Sequence, residues 1–90
     1  MATMSIYVGN LSFGTTESEL ETLFARYGSI SQINIVRNHE TERTYGYIEM
    51  DAESAQHAIE ELDGMEFDGR ILLINRARKQ DRFSRRQTSE

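Results

Sequence analysis

Arg43-Thr44-Tyr45-Gly46-Tyr47-Ile48-Glu49-Met50 is the stretch on which the fold turns. Successive side chains of an extended strand point to opposite faces. Read as a strand over Tyr45 to Met50, the stretch puts Gly46, Ile48 and Met50 on one face and Tyr45, Tyr47 and Glu49 on the other. The first face is apolar and asks for a cover. The second carries two aromatic rings and a carboxylate, so it suits an open surface.

Toward the N-terminus, the polar run Arg37 to Thr44 reads as a loop. Before it, Ile30, Ile33 and Ile35 point to another strand, and their uneven spacing predicts an irregularity near Ser31. A helix precedes that strand. Thr16 is its N-cap, Glu19 completes the capping-box spacing, and Leu20, Leu23, Phe24 and Tyr27 share a face. Gly28 is expected to end the helix as a left-handed cap. The first strand is Met4 to Gly9, with Ile6 and Val8 inward and Tyr7 therefore outward.

Toward the C-terminus, a second helix opens near Asp51. Its Ala55, Ala58, Ile59 and Leu62 follow the i, i+3, i+4, i+7 pattern, and Asp63-Gly64 stops it. The alanines permit close packing on a sheet. Met65-Glu66-Phe67 and Asp68-Gly69 suggest a short extended segment and a tight turn into a last strand, Ile71 to Asn75, with Leu72 and Ile74 facing the core. The order βαββαβ, with two helices each needing cover for one apolar stripe, predicts an α+β fold. It is a ferredoxin-like split-βαβ sandwich, a four-stranded antiparallel sheet with both helices on one face. Residues 4–77 form this single domain, and residues 78–90 are expected to be a flexible basic C-terminal tail. The fold by itself decides no activity.

Composition narrows the chemistry. The chain of 90 residues has no cysteine and only two histidines, His39 and His57, so neither a disulfide nor a structural metal site is expected, and no cofactor. No cysteine nucleophile, glycine-rich phosphate cradle or serine–histidine–acid constellation is visible, so the chain reads as a non-enzyme. No apolar run approaches the roughly 20 residues of a membrane span, and Met1-Ala2-Thr3-Met4 lacks the features of a signal peptide. A cytoplasmic protein without membrane contact is expected. The net charge of −5 at first argues against a nucleic-acid ligand. Charge is segregated, however. Residues 1 to 69 hold three arginines against thirteen acids, whereas residues 70 to 90 hold seven basic residues against two acids.

Two segments resemble the RNA-recognition-motif family: Ile6-Tyr7-Val8-Gly9-Asn10-Leu11 is similar to its hexapeptide on the first strand, and Arg43 to Met50 to its octapeptide on the third. Weaker landmarks agree: Leu23-Phe24 with Gly28, Leu62-Asp63-Gly64, Gly69-Arg70 and Ala77. The resemblance covers residues 4 to about 77. Two positions depart from it. Thr44 replaces a glycine, which restricts the loop edge and the aim of Arg43. Met50 replaces a terminal aromatic, on the inward side where a flexible apolar chain fills the volume.

The resemblance implies that the two motif strands lie side by side at the centre of the sheet and that the ligand is single-stranded RNA. Tyr7 and Tyr45 would each stack on a base, Tyr47 would pack against sugar or between neighbours, and Arg43 would pair with phosphate. Gln32, Asn34 and Asn75 face outward and are candidates for base edges. Arg76, Arg78 and Lys79 begin the basic stretch expected to reach phosphates. Single-stranded DNA is admitted too, since stacking does not see the 2′-hydroxyl. A short domain with a brief charged tail is similar to compact bacterial and organellar members of the family. That likeness favours a monomer in the bacterial cytoplasm, in post-transcriptional regulation.

Other residues carry plainer readings. Phe24, Tyr27 and Phe67 are read as core or edge packing, His39 and His57 as solvated, and Glu17, Glu19, Glu21, Glu60 and Glu61 as a solvated helix surface. A competing function is a protein-interaction module using the same sheet or the acidic helical face. The acidic body supports it, and the complete tyrosine set opposes it.

Overall fold

The computed structural model describes residues 2–77. The elements run β1 (Thr3–Gly9), α1 (Glu17–Phe24), β2 (Ile30–Asn38), β3 (Arg43–Asp51), α2 (Ala52–Leu62), β4 (Glu66–Phe67), β5 (Arg70–Ile71) and β6 (Leu73–Ala77). Four strands form an antiparallel sheet in the order β2-β3-β1-β6, and β4 and β5 form a separate hairpin. The two motif strands, β1 and β3, are thus the central pair, with Tyr7 directly opposite Tyr47.

Both helices cover the face chosen by the alternating apolar residues. Ile6, Val8, Ile48, Met50 and Ile74 are fully or almost fully buried against Leu20, Phe24, Ala55, Ala58 and Leu62. Ala55 and Ala58 have no exposure at all, as expected of small residues that let a helix lie close on a sheet. Each of the larger side chains among them, such as Ile6, Ile48 or Phe24, contributes about 1.5–3 kcal/mol when fully withdrawn from water.

The helix ends follow local chemistry. The Thr16 side chain accepts from the Glu19 backbone N–H at 3.2 Å, and the Glu19 carboxylate accepts from the Thr16 N–H at 3.1 Å, a complete capping box. Asp51 caps α2 by accepting from the Ser54 N–H. Asp63 follows α2, and Gly64 takes the left-handed conformation that stops it. The Asp63 carboxylate also accepts from the Ile74 N–H at 2.9 Å, which satisfies a donor on the edge strand β6.

Several expectations are corrected. Gly28 is not a left-handed cap: α1 ends at Phe24, with Ala25 in the right-handed region, and Gly28 has no positive φ. Close approach explains the glycine, since a Cβ there would lie 2.3 Å from the Ser54 hydroxyl oxygen. The polar segment Arg37 to Thr44 is not all loop. Arg37 pairs with Thr44 and Asn38 with Arg43 in the ladder, because polar side chains satisfy a solvated hairpin without apolar alternation. Only residues 39–42 turn, held by the Asn38 side-chain Oδ1, which accepts from the backbone N–H groups of Glu40 and Thr41. Thr44 therefore lies within β3 and is buried.

The last strand is interrupted at Leu72, so Ile71 belongs to the hairpin and β6 runs on to Ala77. In that hairpin Asp68 and Gly69 have φ of 54° and 80°, the pair of positive values that a two-residue turn of primed type requires. The irregularity expected near Ser31 is present as a register shift between Ile30 and Gln32.

Candidate nucleic-acid interface

Strand register converts the sequence into a map of the uncovered face. One row across the sheet reads Asn34, Tyr47, Tyr7, Asn75. The row on one side places Val36 opposite Tyr45 and Gly9 opposite Leu73, and the row on the other reads Gln32, Glu49, Ser5, Ala77. Arg43 precedes Tyr45 by two residues on β3 and so shares its face.

The three tyrosines form one cluster. The Tyr7 ring centroid is 5.8 Å from that of Tyr45 and 5.8 Å from that of Tyr47, and Tyr45 and Tyr47 are 6.1 Å apart. Tyr7 and Tyr45 are tilted by 37°, while Tyr47 stands edge-on to Tyr45 at 89°. Gly9 makes this possible. A Cβ on Gly9 would meet the Tyr7 ring at 2.8 Å, so only glycine lets that ring lie over the strand.

Beside Tyr7 and Tyr45 lies an open groove of about 610 Å³, walled by Arg43, Arg70, Asn10 and Leu73 among others. Asn10 has a φ of 63°, a conformation asparagine tolerates better than most residues. Its side-chain oxygen accepts from Arg70 Nε at 3.2 Å and Nη2 at 2.8 Å, while its amide nitrogen donates to the Ile71 carbonyl at 2.6 Å. This link fixes a guanidinium across the groove from Arg43.

Arg37 serves the fold instead. It donates through Nε to the Phe13 carbonyl at 2.9 Å and through Nη2 to the Thr15 carbonyl, pinning the loop that leads into α1. Thr15 is itself fully buried and donates to Asp68.

Most of the residues expected at the site are brought together: Tyr7, Tyr45, Tyr47, Arg43, Gln32, Asn34 and Asn75 share the uncovered face. Arg76 stands apart from the tyrosine row. It lies opposite Ile6, on the helix-covered side by parity, yet at the sheet edge it borders both a small groove with Met4, Gln56, Ile59 and Glu60 and the groove that holds Ser5 and Glu49. Arg78 and Lys79 lie outside the described residues. Arg70 and Leu73 were not anticipated. Leu73 is 54 % exposed, and alternation between inward Leu72 and Ile74 already required it to face outward. The bond between Arg70 and Asn10 spans 60 residues and left no local signal. His39, expected to be simply solvated, stands edge-on to Phe13 at 5.2 Å.

Among the described residues, no helix is long and apolar enough to cross a membrane, and no group of three acidic, histidine or cysteine side chains is placed to hold a metal ion.

An open antiparallel sheet with clustered aromatics, flanking guanidiniums and outward amides defines a β-sheet platform of the kind that accepts unstacked bases. The comparisons make the family explicit. The sequence profile described as RNA recognition motif matches residues 6–73, and the chain belongs to that family. Among its relatives, “Putative RNA-binding protein RbpE” of Nostoc sp. is 42% identical over 81 residues, covering 87% of this chain and 82% of the relative. RbpA of Synechocystis sp. is 42% identical over 84 residues, covering 90% of this chain and 83% of the relative.

Among solved structures, RNA Binding Protein PG1 superposes with a TM-score of 0.74 at 40% identity, covering 82% of this chain and 93% of that one. The Rna15 RRM, solved with bound RNA (GU), also gives a TM-score of 0.74. It covers 92% of this chain and 96% of that one, and at 21% identity the likeness is one of fold alone.

Proposed function

We propose that this chain is a non-catalytic module that binds single-stranded RNA by stacking bases on Tyr7, Tyr45 and Tyr47, in the service of post-transcriptional regulation. The observation that carries the reading is the cluster itself: three rings within 6.1 Å of one another on the one sheet face that no helix covers. Arg43 and Arg70 across the adjoining groove are suited to phosphate, and Asn34 and Asn75, flanking the tyrosine row, to base edges. Relatives named as RNA-binding proteins support the same ligand. Arg76 contributes at most from the sheet edge. Arg78 and Lys79 are proposed phosphate contacts by charge alone. Single-stranded DNA fits the stacking chemistry as well. The cyanobacterial relatives favour a bacterial cytoplasmic protein, here proposed to act as a monomer.

Chemical-shift mapping with a pool of short random RNAs tests the proposal. The outward residues of β1 and β3, with Asn34 and Asn75, should shift, and the buried faces of α1 and α2 should not. A spectrum unmoved by RNA would overturn the proposal in favour of a protein partner. That second reading rests on charge: the thirteen acids of the body outnumber its arginines, which disfavours phosphate except where Arg43 and Arg70 stand.

A further inference from the structure

Glu49 is a carboxylate on the face where nucleic acid is proposed to lie. Thr3 Oγ1 donates to Glu49 Oε2 at 3.3 Å, so the carboxylate is aimed, and Gln32 sits directly opposite it on β2. Cross-strand neighbours hold their Cβ atoms about 4.5–5.5 Å apart, close enough for both side chains to reach one planar ligand. Among the described residues the exposed Gln32 amide makes no hydrogen bond, and Glu49 accepts only the one from Thr3. On the other side of Glu49, Ser5 and Arg76 line a groove of about 530 Å³, and the buried Ser5 hydroxyl has no partner among the described residues. This row lies two residues along the strands from Tyr47 and Tyr7, about 7 Å.

A carboxylate here repels phosphate, so the part of a nucleic acid that can approach it is a base edge carrying donors. The four bases differ sharply in what they offer. Guanine presents two adjacent donors, N1–H and the N2 amino group, which match the two oxygens of a carboxylate, with O6 beside them for an amide donor. Adenine and cytosine each present one amino donor next to a ring nitrogen that repels a carboxylate. Uracil presents one N–H flanked by two carbonyls.

We propose that Glu49 and Gln32 form a base-reading site selective for guanine, Glu49 accepting from N1–H and N2–H and Gln32 donating to O6, next to the tyrosine platform. The proposal rests on RNA lying across the tyrosines, and it adds a sequence preference that stacking alone does not supply.

The test uses full-length protein and pentanucleotides in which one base is varied through G, A, C and U at each position of an oligouridine, with affinity read by fluorescence anisotropy. Wild type should prefer a guanine at one position by about tenfold or more over uracil, the range of a good bidentate contact. Glu49→Gln, which keeps the volume and loses the paired acceptors, should reduce that preference to about twofold while still binding oligouridine. Thr3→Val, which leaves the carboxylate and removes the group that aims it, should reduce the preference partway. Equal binding of all four bases by wild type would overturn guanine selectivity while leaving RNA binding intact. So would uniform tightening of every oligonucleotide in Glu49→Gln, which would make Glu49 a simple repulsive charge. No binding of any pentanucleotide by wild type would overturn both this proposal and the platform on which it rests.

Discussion

The covered and open faces of the sheet are made from the same strands, one residue after another in alternation, yet they answer to opposite demands. On the covered face Ile6, Val8, Ile48 and Met50 have no solvent exposure and are interchangeable only with side chains of similar volume. On the open face their immediate neighbours Tyr7, Tyr47 and Glu49 remain partly accessible, and Leu73 is more than half exposed. The first face stabilises the fold through burial. The second leaves aromatic and apolar surface in water, a cost that a stacked base can relieve. On the function proposed above, stability and binding are therefore separable at single-residue resolution on one strand.

The sharpest way to break that separation is at Ile48 and Glu49. Ile48→Asp puts an unpaired carboxylate into the fully buried face of a central strand and should abolish the cooperative melting transition, because its cost rivals the whole stability of a domain this small. Glu49→Ala, one residue on, should leave the melting curve nearly intact. Reversal of this order would exchange the two faces and move Tyr45 and Tyr47 inward.

Next in size are the rings. Tyr45→Ala and Tyr7→Ala should each lose about 1–3 kcal/mol of stacking, roughly ten- to a hundredfold in RNA affinity, with a native circular dichroism spectrum. Unchanged affinity in a folded double variant would remove the case for the platform.

A third test reaches beyond both faces. Deleting residues 78–90 removes five cations and two acids, and if two or three of those cations meet phosphates, the log–log salt dependence of RNA binding should flatten by about 1.4 to 2. Salt titrations of full-length and shortened protein on one oligonucleotide measure it. Tighter binding by the shortened form at every salt concentration would mean that the tail competes with RNA.

The smallest expected effect lies wholly on the structural side. Thr16→Ala removes the N-cap of α1 and should lower stability by about 1 kcal/mol in urea unfolding, with RNA affinity unchanged.

Much of this division was legible in the residues. The alternation through Tyr45 to Met50, the spacing of Thr16 and Glu19, the turn signal Asp68-Gly69 and the uneven isoleucines around Ser31 each reflect a local backbone period or a hydrogen bond within a few residues. Such features depend on neighbours in sequence, so the sequence expresses them directly. Where the reading missed, the cause lay across the fold. Gly28 looked like a helix stop because glycine usually is one there, whereas α2 brings Ser54 too close for a side chain.

Arg76 reads by charge as the start of a phosphate-binding stretch, and pairing with Ile6 sets it at the sheet edge, where it borders grooves on both sides. Arg37 looked like part of a solvated loop, yet carbonyls more than twenty residues away hold its guanidinium. Sequence alone thus determined which residues alternate, where the helices begin, and that three tyrosines stand on the side away from the core. Tertiary structure decided which cations remain on that side. It joined Asn10 to Arg70 across 60 residues, set Glu49 beside Gln32 and Thr3, and let the Tyr7 ring lie over Gly9. A period of two is a property of one strand, but the partner of a side chain is known only when separate strands are in register.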